Sequence, residues 1–122
     1  MPLAVSGAFH SPYMNGAAEK FGQYLDDRDF GTPNIPVYSN FTALPYSKDE
    51  KIPNMLRSQM NHPVRWEETI RNMAEDGFDT FIEAGVGNTL KKLISKTLPD
   101  AKTFAVEDIS SLEKAVSELK NQ

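Results

Sequence analysis

Apolar residues recur at helical spacing in five stretches of the chain and form short β-prone runs in three others. The first helical stretch carries Tyr13, Met14, Ala17, Ala18, Phe21, Tyr24 and Leu25 on one stripe. Ser11-Pro12 precedes it as N-cap and first helical residue. Gly31, Pro33 and Pro36 mark a loop, and Val37-Tyr38-Ser39-Asn40-Phe41 then alternates as a strand does. The spacing predicts a second helix from about Glu50 to Met60, with Pro53 in its first turn and Ile52, Met55, Leu56 and Met60 inward. His62-Pro63 breaks it. A third helix is expected over about Val64–Asp76, with Trp66, Ile70, Met73 and Ala74 on one face, Glu67 and Arg71 paired on the other, and Gly77 as its stop. Thr80–Ala84 reads as a strand, Gly85-Val86-Gly87 as a tight turn, and Asn88 as the cap of a fourth helix with Leu90, Leu93, Ile94 and Leu98 inward. Thr103–Val106 reads as a strand. Ser110-Ser111-Leu112-Glu113 has capping-box spacing ahead of a last helix that packs Leu112, Ala115, Val116 and Leu119.

The order α, β, α, α, β, α, β, α predicts an α/β fold: a parallel three-stranded sheet with flanking helices. Parallel sheets are covered on both faces, and five helices overfill three strands. Further strands are therefore expected upstream. The strand-like run Leu3–Ser6, followed at once by His10 and a helix cap, points the same way.

At 122 residues the chain suits one modest domain with a core of its own. Aromatics at 10% and a net charge of −4 argue against disorder. The same charge argues against a nucleic-acid binder, which carries a basic stripe. No apolar run approaches the ~20 residues of a membrane span. The N-terminus lacks the charged and apolar regions of a signal peptide, so a cytoplasmic protein is expected. Cysteine is absent, which excludes thiolate nucleophiles, thiolate metal sites and disulfides.

Few residues are left to carry chemistry. His10 sits between the Leu3–Ser6 run and the first helix, where α/β folds gather functional groups. A neutral imidazole there can act as a general base; the plainer account is a helix-start histidine bonded to backbone. His62, ahead of Pro63, reads as a helix-breaking residue without a function. No G-x-S-x-G elbow and no metal-ligand spacing is present. Gly85-x-Gly87 follows a strand and opens a helix, and Glu107 lies at the end of the next strand, as in a dinucleotide-binding unit. The third glycine of that pattern is Leu90, so a tight turn needing positive φ accounts for the glycines as well. Lys91, Lys92, Lys96 and Lys102 form a basic cluster that is either a solvated face or a docking patch for an acidic partner.

Four ordered segments between Val5 and about Leu93 carry a family resemblance. Ser6-Gly7-Ala8-Phe9-His10-Ser11-Pro12-Tyr13-Met14 resembles the histidine segment of malonyl-CoA:acyl carrier protein transacylases and of the acyltransferase domains of fatty-acid and polyketide synthases. Ile35-Pro36-Val37-Tyr38-Ser39-Asn40 is similar to that family's IPVxSN strand. Gln59-Met60-Asn61-His62-Pro63-Val64-Arg65-Trp66 is similar to QLxxPVRW, and Phe81-Ile82-Glu83-Ala84-Gly85-Val86-Gly87 to FIExGPG, with Val86 in place of proline.

The resemblance implies malonyl transfer in fatty-acid or polyketide synthesis. A serine takes malonyl from coenzyme A and passes it to the phosphopantetheine thiol of acyl carrier protein. His10 maps onto the family's general base, and Gln59 onto the residue whose main-chain carbonyl orients it. Phe9 maps onto the bulky residue of the AFH signature, linked to malonyl over methylmalonyl preference; plain core packing is its other account. No cofactor or metal is implied. The family's GHSxG elbow, malonyl-pairing arginine and ferredoxin-like subdomain have no counterpart here. Residues 1–122 are thus expected to be a single C-terminal segment of the large subdomain of an α/β-hydrolase-like acyltransferase core, inactive without its N-terminal part. Two other readings stay open. One is a non-catalytic module binding acyl carrier protein through Lys91, Lys92 and Lys96. The other is a small nucleotide-binding α/β domain using Gly85, Gly87 and Glu107.

Overall fold

The computed structural model describes residues 4–121, and the chain divides into two compact units between Thr69 and Ile70. Among the described residues it holds five α-helices and one parallel sheet of two strands.

The first unit is built on α1 (Asn15–Asp26) and α2 (Ile52–Asn61), which pack together. Ser11 and Pro12 do open a helical segment, but its first turn, Pro12–Met14, is 3-10 and leads into α1. The Ser11 hydroxyl donates to Ala8 O at 2.6 Å and does not cap the helix. Ala18, Gly22 and Leu25 form the buried stripe of α1, while Tyr13 and Tyr24 of the expected stripe are exposed. Glycine at position 22 suits a close approach, since a Cβ there would lie 2.5 Å from Arg57 Cδ. On α2, Pro53 occupies the first turn and Ile52, Met55, Leu56 and Met60 are half-buried.

The expected strand over Val37–Phe41 is not one, so the sheet has two strands where three were predicted. Tyr38 makes only an isolated antiparallel bridge to Pro45. The reason lies in Ser39, whose buried Oγ accepts from Phe41 N at 3.1 Å and Thr42 N at 3.4 Å. Such local side-chain bonds compete with a strand ladder. Ala43, buried and at φ +62°, completes the turn by donating to Ser39 O at 2.8 Å. Pro36 and Pro45, which have no N–H, bracket it. Of the Leu3–Ser6 run, Leu3 lies outside the described residues, and Ala4–Ser6 form no strand.

The unit boundary falls within α3 (Trp66–Glu75). Gly77, at φ +97°, stops α3 in a Schellman motif: Phe78 N donates to Met73 O and Gly77 N to Ala74 O, both at 3.0 Å. The second unit then runs β1 (Thr80–Ala84), α4 (Thr89–Thr97), β2 (Lys102–Val106) and α5 (Ile109–Lys120). β1 and β2 pair in parallel from Thr80↔Lys102 to Ala84↔Val106, with α4 as the crossover. Two strands are too narrow to cover the apolar stripes of two helices. Only Ile94 of α4 and Ala115 of α5 are buried, whereas Leu90, Leu93, Leu112 and Val116 stay partly exposed.

The capping box of α5 starts two residues before the expected one. Asp108 is the N-cap, with its carboxylate accepting from Ser111 N at 2.8 Å, and Ser111 Oγ accepts from Asp108 N at 3.1 Å. The Ser111 hydroxyl, and after it the Ser111 amide, hold the Asp108 carboxyl below the ordinary carboxylate value. A depressed carboxyl contributes stability above the ordinary value and loses it as pH falls through the lowered one. Asp108→Asn is therefore expected to flatten the acid limb of a urea-midpoint-against-pH profile; an unchanged limb would show that the cap carries no charge-dependent stability. Ser39→Ala leaves two half-buried amides without this acceptor and is expected to lower unfolding stability by about 1–2 kcal/mol in urea titrations.

Candidate active site

Two histidines gather at the carboxyl end of α2. Pro63 disfavours helical backbone at the residue before it, and His62 sits at φ −124°, ψ 154°, so α2 stops at Asn61. Intrahelical donors run out at that end, so the carbonyls of its last turn are open to donors from outside. His62 reaches back to the first, with Nδ1 2.7 Å from Ser58 O. His10 takes the next two. Its Nδ1 lies 2.8 Å from Gln59 O, and its backbone N donates to Met60 O at 3.2 Å.

A carbonyl can only accept, so Nδ1 carries the proton in both rings and each neutral ring keeps a lone pair on Nε2. His10 adopts φ +59°, a left-handed conformation that costs a non-glycine residue about 1–3 kcal/mol. The two bonds to α2 hold it there. The His10 side chain is exposed, so Nε2 is open to an incoming group. The structure thus brings His10 and Gln59 together through the main-chain carbonyl of Gln59. Phe9 is 58% exposed and is not a core residue of this unit; its ring lies over Gly7, where a Cβ would stand 3.2 Å from it.

The end of α2 is tied down further. Asn61 Nδ2 donates to Asn15 Oδ1 at 2.8 Å, joining it to the start of α1. The His62 ring packs on Phe41 with centroids 4.6 Å apart. His62 is the residue that reading the sequence passed over. Its signal was the place just before proline at a helix end, where a ring can fold back onto a carbonyl four residues earlier.

In the second unit the Gly85-x-Gly87 turn has the positive φ values of a tight βα connection, +144° and +90°. Both glycine amides are already occupied, Gly85 N donating to Val106 O at 3.0 Å. Glu107 Oε2 accepts from Gly87 N at 2.8 Å. The Glu83 carboxylate accepts from Leu90 N at 3.3 Å and Lys91 N at 2.8 Å, capping α4 where the Asn88 side chain makes no cap bond. A pyrophosphate would need these N–H groups and would meet two carboxylates. The nucleotide-binding reading of Gly85, Gly87 and Glu107 is corrected accordingly: Glu107 is an internal partner of the turn. Lys92 and Lys96 are exposed one turn apart on α4, and Lys91 is half-buried. Among the described residues no group of three or more His, Asp or Glu side chains is placed to hold a metal ion, and no helix is long and apolar enough to cross a membrane.

Glu83→Ala uncovers the first turn of α4. Hydrogen exchange at Leu90 and Lys91 is expected to speed up about 5-fold or more, the ratio that one charge-assisted bond supports. Unchanged protection at both amides would contradict the cap.

No family model matches the chain. Individual relatives do. A malonyl CoA-acyl carrier protein transacylase of Bacillus subtilis is 40% identical over 122 residues, covering 100% of this chain and 38% of the relative. A polyketide-biosynthesis malonyl CoA-acyl carrier protein transacylase of the same organism is 44% identical over 104 residues, covering 85% and 36%. Among solved structures, the malonyl CoA-acyl carrier protein transacylase of Clostridium perfringens superposes with a TM-score of 0.95 at 36% identity, over 99% of this chain and 38% of that one. A malonyl-transacylase solved in complex with a type II polyketide acyl-carrier protein superposes at 0.89 with 34% identity, over 97% and 38%. The chain spans about 38% of the length of the first of these relatives. Along its whole length it is thus a homologue of the malonyl-CoA:acyl carrier protein transacylases, matching a C-terminal portion of them.

Proposed function

We propose that this chain supplies the general-base histidine of a malonyl-CoA:acyl carrier protein transacylase. The observation that carries the reading is His10 itself: Nδ1 anchored 2.8 Å from Gln59 O on an exposed residue, which in the neutral ring leaves the lone pair on Nε2. The nucleophile is a serine outside this sequence, in the part of the enzyme that carries the GHSxG elbow. As its hydroxyl attacks the malonyl thioester, Nε2 takes the proton, then gives it to the departing coenzyme A thiolate. In the second half the phosphopantetheine thiol of acyl carrier protein loses its proton to Nε2 and attacks the seryl ester. The serine oxygen leaves and is reprotonated from the same nitrogen. Gln59 O holds the imidazolium that forms twice in the cycle, a task that needs an acceptor but not a carboxylate.

In this reading Phe9 lines the acyl pocket, where its ring would meet the extra methyl of methylmalonyl. Malonyl-CoA is the donor and acyl carrier protein the acceptor, with no further cofactor and a cytoplasmic setting. The two-stranded sheet forms part of a larger parallel sheet, its further strands coming from the remainder of the enzyme. Lys92 and Lys96 are a docking patch suited to an acidic carrier protein.

The test is a fusion in which this chain replaces the matching segment of the Bacillus subtilis relative. It is expected to transfer malonyl to acyl carrier protein, and His10→Ala to lower kcat by about 10²–10⁴-fold. Gln59→Ala keeps the carbonyl and is expected to stay near the parent rate. Phe9→Ser is expected to raise the methylmalonyl-to-malonyl ratio of kcat/KM by about 10-fold or more, the scale set by one methyl in a pocket. A His10→Ala fusion as fast as its parent would sink the reading.

A further inference from the structure

We propose that His62 is a positioning residue for His10, acting through the last turn of α2. The ring of His62 donates to Ser58 O, the carbonyl immediately before the two that receive His10. Without that donor, Ser58 O loses its side-chain bond at an end where intrahelical donors run out, and last turns left so are the ones that fray. Fraying there displaces the Gln59 and Met60 carbonyls together. His10 would lose both the acceptor of its Nδ1 proton and the backbone bond that offsets its left-handed φ of +59°. His62 is itself held on two sides: Pro63 keeps its backbone extended, and the Phe41 ring packs 4.6 Å from its own. One histidine fixes the platform and the other rests on it.

The contact acts without touching substrate, so its signature is the tautomer of His10. The proposal rests on the general-base reading only for its bearing on catalysis, and the experiment reads the ring directly. A fusion that fails to transfer malonyl while the ring pattern holds would count against that reading alone. The chain has two histidines, so long-range proton–nitrogen NMR of the 122-residue protein shows two imidazole patterns. At about pH 8, where an ordinary imidazole is neutral, His10 is expected to show a protonated Nδ1 and an unprotonated Nε2.

His62→Ala is expected to shift the His10 tautomer ratio toward that of a free imidazole by about 2–10-fold, the range one ordinary hydrogen bond supports. His62→Phe keeps an aromatic ring against Phe41 but cannot donate, and is expected to do the same. His62→Asn places an amide N–H near the position of Nδ1 and is expected to restore the parent ratio. Should the alanine variant not fold, the phenylalanine and asparagine variants decide between packing and donation. A His10 ratio unchanged in His62→Phe would overturn the proposal, as would a folded His62→Asn that fails to restore it.

Discussion

The structure depends most on how α2 ends. A helix that stops leaves carbonyls facing outward, and each must find a donor. Pro63 forces the stop after Asn61, so the place where these carbonyls fall is set by the chain itself. Three of them are met by two histidines, one from the next residue along and one from before α1. The same bonds that complete the helix select the tautomer of His10 and leave its Nε2 bare. An imidazole is thereby oriented without a buried carboxylate, and a strained backbone is kept in place by a bond to Met60 O. Packing of α1 on α2 and the Asn15–Asn61 bond keep that end from shifting.

In the second unit the equivalent problem lies at a helix start. The amides at the head of α4 and in the glycine turn are filled by Glu83 and Glu107 from the two strand ends. Each carboxylate sits where the dipole of a helix or a turn amide favours negative charge. What looks in one dimension like a phosphate cradle is in three dimensions a turn that carries its own anions. Glycines are needed there for positive φ, not for ligand approach.

Much of the fold was legible along the chain wherever one local rule acted alone. Pro53 and Pro63 bracket α2, Gly77 stops α3, and Thr80–Ala84 forms β1 with the expected bounds. Legibility failed where two local rules competed. Val37–Phe41 alternates like a strand, yet the Ser39 hydroxyl turns the backbone on itself and the third strand is lost. Ser110 has capping-box spacing with Glu113, yet the cap is Asp108, because its carboxylate accepts from the Ser111 amide and the Ser111 hydroxyl accepts in return. Tyr13 and Tyr24 followed a helical period but lie on the open side of α1, where the buried stripe is Ala18, Gly22 and Leu25.

The site divides along the same line. Its residues and their order along the chain carry the resemblance to the transacylases, and that much needed no coordinates. The join between His10 and Gln59 did need them. It crosses 49 residues and uses a main-chain carbonyl, which every residue type possesses and no motif can mark. His62 was invisible for the same reason, since its partner is the backbone of Ser58. The sequence by itself determined where α2 and α3 stop, because proline and glycine act on their neighbours. Only the tertiary structure decided which backbone groups left over at those ends meet which side chains, because that choice depends on how α1 and α2 pack.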